Sequence, residues 1–237
     1  MKLRALGLAI VSVAVTLTPA FMTGFDGYDP EDFPVQIARP LVQPAGYAFS
    51  IWGLIYLWLI LHAGFGLARR AEVPAWDRPR LALMAAQLLG VVWVAFAEDQ
   101  PVVATGVILV MAATALTAVL QTADGPRQGA DRWLFQPPVA LFAGWVTAAS
   151  GVALGITLSG LGWLDDQTAA LLMLAAVLIV AGVVQMRLRA PTYGAAVIWA
   201  LAGIVMANRV ENLTVTLAAA AGAAIMALIV WQSLRRA

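Results

Sequence analysis

The chain has 237 residues, 62% hydrophobic and 11% charged, with a net charge of +1 and a mean hydropathy of +0.86. A soluble domain carries about 25% charged residues, so the solvent here is lipid, and the near-neutral balance gives no reason to expect nucleic acid as a partner. Cysteine is absent, and histidine and lysine occur once each, at His62 and Lys2; this excludes disulfides, thiolate or multi-histidine metal sites, and a retinal Schiff base in the bilayer.

Eight runs lack Asp, Glu, Lys and Arg: Ala5–Phe25, Pro40–Ala68, Leu81–Ala97, Gln100–Ala123, Trp133–Leu164, Gln167–Met186, Ala190–Asn208 and Asn212–Leu234. Each meets or nearly meets the roughly 17–25 apolar residues that a spanning helix needs. The expected fold is therefore an all-α integral membrane protein with eight transmembrane helices. The first segment, MKLRALGLAIVSVAVTLTPA, has the basic start, apolar centre and small residues of a signal peptide. Its apolar run is long for a signal core, so a retained first helix is expected, with a cleaved signal as the alternative. An acidic loop over 26–43 follows, containing Pro30, Pro34 and Pro40, and loops of this length commonly carry function. Later turns are short: a basic one at 69–80, Glu98-Asp99-Gln100-Pro101, a polar one at 122–132, and 159–167 before the last three spans.

Alternating these spans places twelve Lys and Arg residues at one side, against Arg39 and Arg209 at the other. Most acids fall with the minority, from Asp26, Asp29, Glu31 and Asp32 to Glu98, Asp99, Asp165, Asp166 and Glu211. Positive charge collects on the cytoplasmic side. Both termini are therefore expected in the cytoplasm, with the chain in a bacterial-type inner membrane. No span carries a carboxylate, Lys or Arg near its centre, where coupled pumps and transporters usually place ionisable groups.

The second span is rich in rings. A helix advances about 100° per residue, so Phe49, Trp52 and Tyr56 share a face, while Trp58 points nearly the opposite way. Tyr47, Trp133 and Trp163 lie near span ends, where aromatic anchors collect; Trp52, Trp93 and Trp145 do not. Flat faces inside a bundle could stack a planar apolar ligand, although rings also simply fill helix contacts. His62 could ligate a porphyrin-type metal through a ring nitrogen, but it is more often a packing hydrogen-bonder. It lies about 15 Å of helix rise from Trp52, which makes it separate from the ring cluster. Gly144, Ala148, Gly151 and Gly155, and the small residues over 218–224, suit close backbone approach within the chain or in a homodimer.

Arg39-Pro40, Pro44, Phe49, Trp52 and Tyr56 resemble the second-helix signature of the TspO/MBR family of tryptophan-rich sensory or translocator proteins, approximately K-P-x-x-x-P-P-x-x-x-F-x-x-x-W-x-x-L-Y. This chain has Arg39 at the Lys, Ala45 at the second Pro, Ile55 at the Leu, and one residue fewer between Phe49 and Trp52. Gln87 to Trp93 is similar to the third-helix pattern Q-L-x-L-N-x-x-W, again one residue short, with Gly90 where the family has Asn. The fifth-helix pattern P-Y-L-x-W-x-x-F-A is echoed over 137–149, with Trp145 at the Trp.

The resemblance covers about residues 1–160. It implies a five-helix transmembrane bundle there, followed by a three-helix extension over 161–237. It also implies an intramembrane aromatic pocket for a porphyrin or other tetrapyrrole, or a sterol-like lipid. Phe49, Trp52, Tyr56, Gln87, Trp93 and Trp145 would line that pocket, and the loop bearing Arg39, Pro40 and Pro44 would cover it. No cofactor is required and no enzyme is expected, since no nucleophile–base pair is visible; light-dependent porphyrin breakdown at the tryptophans is the family's one catalytic suggestion. Two other classes stay open: a structural subunit or assembly factor of a larger, pigment-handling membrane complex, and an uncoupled transporter of apolar metabolites.

Overall fold

The computed structural model describes residues 1–17 and 28–235, and among these every regular element is helical. The helices are α1 (Lys2–Ala14), α2 (Ile51–Arg70), the short α3 (Pro74–Asp77), α4 (Arg80–Ala97), α5 (Pro101–Leu120), the short α6 (Asp131–Leu134), α7 (Gln136–Gly160), α8 (Asp166–Leu188), α9 (Pro191–Asn208) and α10 (Leu213–Arg235). A 3-10 turn over Gly46–Ser50 leads into α2. Seven helical segments among the described residues are long and apolar enough to cross a membrane. They coincide with seven of the eight expected runs. The remaining run, Ala5–Phe25, begins as the 13-residue α1, and its continuation through 18–27 lies outside the described residues.

The helix boundaries follow from local chemistry. Proline occupies the first turn of α5, α7 and α9, where the missing amide donor has no intrahelical partner to lose. Asp165 caps α8 by accepting from the Thr168 amide at 3.0 Å, and Asn212 caps α10 by accepting from the Val215 amide at 2.9 Å. Helix α8 stops at Arg189, which takes the left-handed conformation at φ 50° just before Pro191.

Helix α7 is the axis of the molecule. Its spanning window is 83% buried, against 22–50% for the other six. Helices α5, α2, α8 and α9 all pack on it; α1 lies against α2 and α4, α4 against α5, and α10 against α8 and α9. Apolar side chains gain little by leaving lipid for one another, so close backbone approach decides which helices associate. The small residues of α7 supply that approach. A Cβ on Gly144 would stand 2.3 Å from the Tyr193 carbonyl oxygen of α9, and one on Gly151 would stand 2.3 Å from Val177 of α8. In α10, Gly222 faces Leu178 of α8 in the same way.

One end of the bundle is rich in arginine, the other in carboxylates. At the arginine-rich end Arg80 is almost wholly buried, with 1% of its side chain exposed. It donates to the Ala71 and Arg70 carbonyls at 2.9 Å, closing the C-terminus of α2, and to Asp77 at 3.0 Å. Arg4 of α1 reaches the same Asp77 at 2.9 Å. Arg70 pairs with Asp131 at 3.2 Å, which ties α2 to α6.

Candidate functional site

Trp52 and Tyr56 stand one helical turn apart on α2 and stack, with centroids 5.3 Å apart and planes 23° from parallel. Phe142 and Trp145 stand about one turn apart on α7. Trp52 meets Phe142 at 6.3 Å and Trp145 edge-on at 6.2 Å. Phe49, delivered by the 3-10 turn, also meets Trp145 edge-on, at 6.0 Å. These geometries favour ring quadrupoles and fix the rings without filling the space beside them.

That space is a cavity of about 350 Å³ in the carboxylate-rich half of the bundle. Helix α2 lines it with Trp52, Tyr56 and Leu59, and α4 with Gln87, Gly90, Trp93 and Val94. Helix α5 contributes Ile108 and Met111, and α7 contributes Phe142, Trp145, Ala149, Val152, Ala153 and Ile156. Val15, Tyr28, Gln43, Pro44 and Phe49 lie toward the carboxylate-rich end, and Ala200 is the contribution of α9. No lining side chain among the described residues is charged.

Polar groups are few. The Tyr28 hydroxyl accepts from Trp93 Nε1 at 3.4 Å and from Thr105 Oγ1 at 3.2 Å, and Thr105 is in turn 2.7 Å from Thr157. Burial pushes the Tyr28 phenol up, against the opposing effect of its bonds to Thr105 and Trp93, so this residue stays neutral. Gln87 Nε2 and Trp145 Nε1 are buried donors without an acceptor among the described residues.

The six residues that the sequence nominates for the pocket, Phe49, Trp52, Tyr56, Gln87, Trp93 and Trp145, thus border one cavity. Of the nominated cover, Pro44 also borders it. Arg39 and Pro40 do not; Arg39 instead pairs with Glu211 at 2.8 Å. His62 is apart from the cavity. Its Nδ1 is 2.7 Å from the Leu134 carbonyl oxygen, and its ring stacks on Trp76 at 4.9 Å. Gly90, at the Asn position of the resemblance, borders the cavity beside Met111, whose methyl a Cβ would meet at 3.3 Å.

Sequence reasoning missed Phe142, Tyr28 and the Thr105–Thr157 pair. The threonines carry a readable signal, being hydroxyls in otherwise apolar spans. Phe142 carries none, because nearly every residue of α7 is apolar. Also unforeseen is how the last three helices hold the segment that enters α2. Asp166 accepts from the Leu41 amide at 2.9 Å, and Asn208 donates to the Leu41 carbonyl at 2.8 Å. The Gly203 carbonyl accepts from the Ala45 amide at 3.0 Å, and Trp199 Nε1 donates to the Ala48 carbonyl at 2.8 Å. The cavity's border at Pro44 and Phe49 is therefore set from both parts of the chain.

No curated protein and no solved structure matches this chain. A family model described as TSPO-like protein matches residues 5–231, running from α1 into α10 and so taking in the last three helices as well. The chain is a multi-pass helical membrane protein that belongs to this TSPO-like family, and with it to a general role in membrane ligand binding or sensing.

Proposed function

We propose that the protein binds a hydrophobic planar ligand, of the porphyrin or other tetrapyrrole type or of the sterol type, in the cavity between α2, α4, α5 and α7. The observation that carries this reading is the convergence of Trp52, Trp93 and Trp145, from three different helices, on one uncharged cavity of about 350 Å³. That size falls in the range of small-molecule pockets, roughly 300–1,000 Å³. The reading is one of binding and sensing without turnover; the single histidine stacks on Trp76, away from the cavity. The charge alternation supports eight spans in an inner membrane, with both termini cytoplasmic.

The test is a porphyrin titration of the purified chain in detergent, followed by the shift of the Soret band, for wild type and Trp52→Ala. Binding that weakens at least tenfold in the variant supports the assignment. Equal affinity in the two proteins overturns it. Reporter fusions in the 69–80 and 159–167 loops test the orientation, the first expected inside and the second outside.

A further inference from the structure

We infer that the ligand is uncharged: a flat, hydrocarbon-rich molecule that presents a neutral acceptor, such as a carbonyl, ester or ether oxygen, and no free carboxylate. This rests on the reading of the cavity as a ligand site and narrows the chemical class it takes.

Three observations carry it. The first is the lining, which offers rings, aliphatic groups, amides and hydroxyls but no cation. Residues 18–27, outside the description, contain no Lys, Arg or His either. A carboxylate placed here would lose its hydration and gain no countercharge.

The second is the carboxylate-rich end. A ligand could keep its carboxylates at the rim and bury only its ring. That rim is the wrong sign: Tyr28 borders the cavity, and Asp29, Glu31 and Asp32 follow it directly in the chain. The cations expected at this end are Arg39 and Arg209. Arg39 pairs with Glu211 at the surface, at 2.8 Å, and neither arginine borders the cavity.

The third is the pair of unsatisfied donors. Acidic surroundings and ring faces would suit an organic cation, but Gln87 Nε2 and Trp145 Nε1 are both N–H donors that lack an acceptor among the described residues. An ammonium cannot accept from them. A neutral oxygen can, and brings no charge to desolvate.

The experiment compares protoporphyrin with its dimethyl ester, which keeps the macrocycle and removes both negative charges. Binding of each to the full chain is read by the Soret shift at neutral pH, in wild type, Trp52→Ala and Gln43→Lys. The ester is expected to bind at least tenfold more tightly to wild type, with binding reduced in Trp52→Ala. Gln43→Lys, which places a cation at the cavity border, is expected to narrow the ratio at least threefold by strengthening the diacid. A diacid that binds wild type as well as the ester overturns the inference while leaving the pocket assignment intact. An ester preference that persists unchanged in Trp52→Ala reflects partition into detergent and also overturns it. If neither porphyrin shows a shift that depends on Trp52, the pocket assignment itself fails, and the inference with it.

Discussion

The indole of Trp52 meets that of Trp145 edge-on, with centroids 6.2 Å apart and planes at 86°, while Tyr56 stacks on it at 23° and Phe142 lies tilted at 6.3 Å. Trp52 is thus held by three rings in different orientations yet remains only half-buried beside the cavity. Trp145 is fully buried, with 2% exposure. The two residues are therefore separable by mutation. Trp52→Ala is expected to lower porphyrin affinity at least tenfold, about 1.4 kcal/mol, with a small shift in detergent unfolding temperature. Trp145→Ala is expected to destabilise the bundle by about 3–5 kcal/mol, so binding at that position is better read in Trp145→Phe. An unchanged unfolding temperature in Trp145→Ala would contradict its place in the core.

The helical period places Trp52 and Tyr56 on one face, and the structure stacks them. Seven apolar runs became helices of nearly the expected bounds because span length and proline position are local properties. Trp93 and Trp145 stood out as rings away from the span ends, but only the motif resemblance assigned them to the same pocket as Trp52. The central position of α7 was only half visible. Its glycines signal close approach, but nothing in a uniformly apolar run says which neighbour approaches. The bonds from Trp199 to Ala48 and from Asn208 to Leu41 join residues 151 and 167 positions apart. Contacts at that separation leave no local periodicity to read, which is why the last three helices looked separate from the cavity.

Gly144 and Gly106 form a matched pair for testing the packing. A Cβ at Gly144 meets the Tyr193 carbonyl oxygen at 2.3 Å, a backbone atom that cannot swing aside; a Cβ at Gly106 meets nothing within 4 Å. Gly144→Ala is expected to separate α7 from α9 and cost about 1–3 kcal/mol or more, as overpacking does. Gly106→Ala, in the second turn of α5, is expected to be neutral or stabilising by up to about 1 kcal/mol through helix propensity. Thermal unfolding of the two variants side by side decides the matter. Equal effects would mean that α7 and α9 are not in this close register.

Arg80 should be the least replaceable charge in the chain. It is buried, it closes the α2 C-terminus through the Arg70 and Ala71 carbonyls, and it shares Asp77 with Arg4. Removing it leaves Asp77 with only the half-exposed Arg4 as a partner and strands carbonyls at a partly buried helix end. Arg80→Ala is expected to cost about 3–5 kcal/mol, as for other broken buried pairs. Arg80→Lys should recover only part of this, because an ammonium cannot reproduce the planar fork. Recovery of full stability by the lysine variant would show that charge alone, and not the fork geometry, holds this end.

The last prediction concerns reach from the final helices to the cavity. Trp199 borders none of the cavity, yet its N–H fixes the Ala48 carbonyl at 2.8 Å, and Ala48 precedes Phe49, which does border it. Gly203 and Asn208 hold Ala45 and Leu41 on the same segment. Trp199→Phe keeps an aromatic ring against Tyr47 and removes only the donor, at a net cost of about 0.5–1.5 kcal/mol. If these bonds set the position of Phe49 and Pro44, the variant should bind porphyrin severalfold more weakly, and Trp199→Phe combined with Asn208→Ala more weakly still. The double variant should lose affinity without losing its helical content, as read by circular dichroism. Wild-type affinity in the double variant would mean that α2 and α7 shape the cavity unaided, and that the last three helices serve it only as packing.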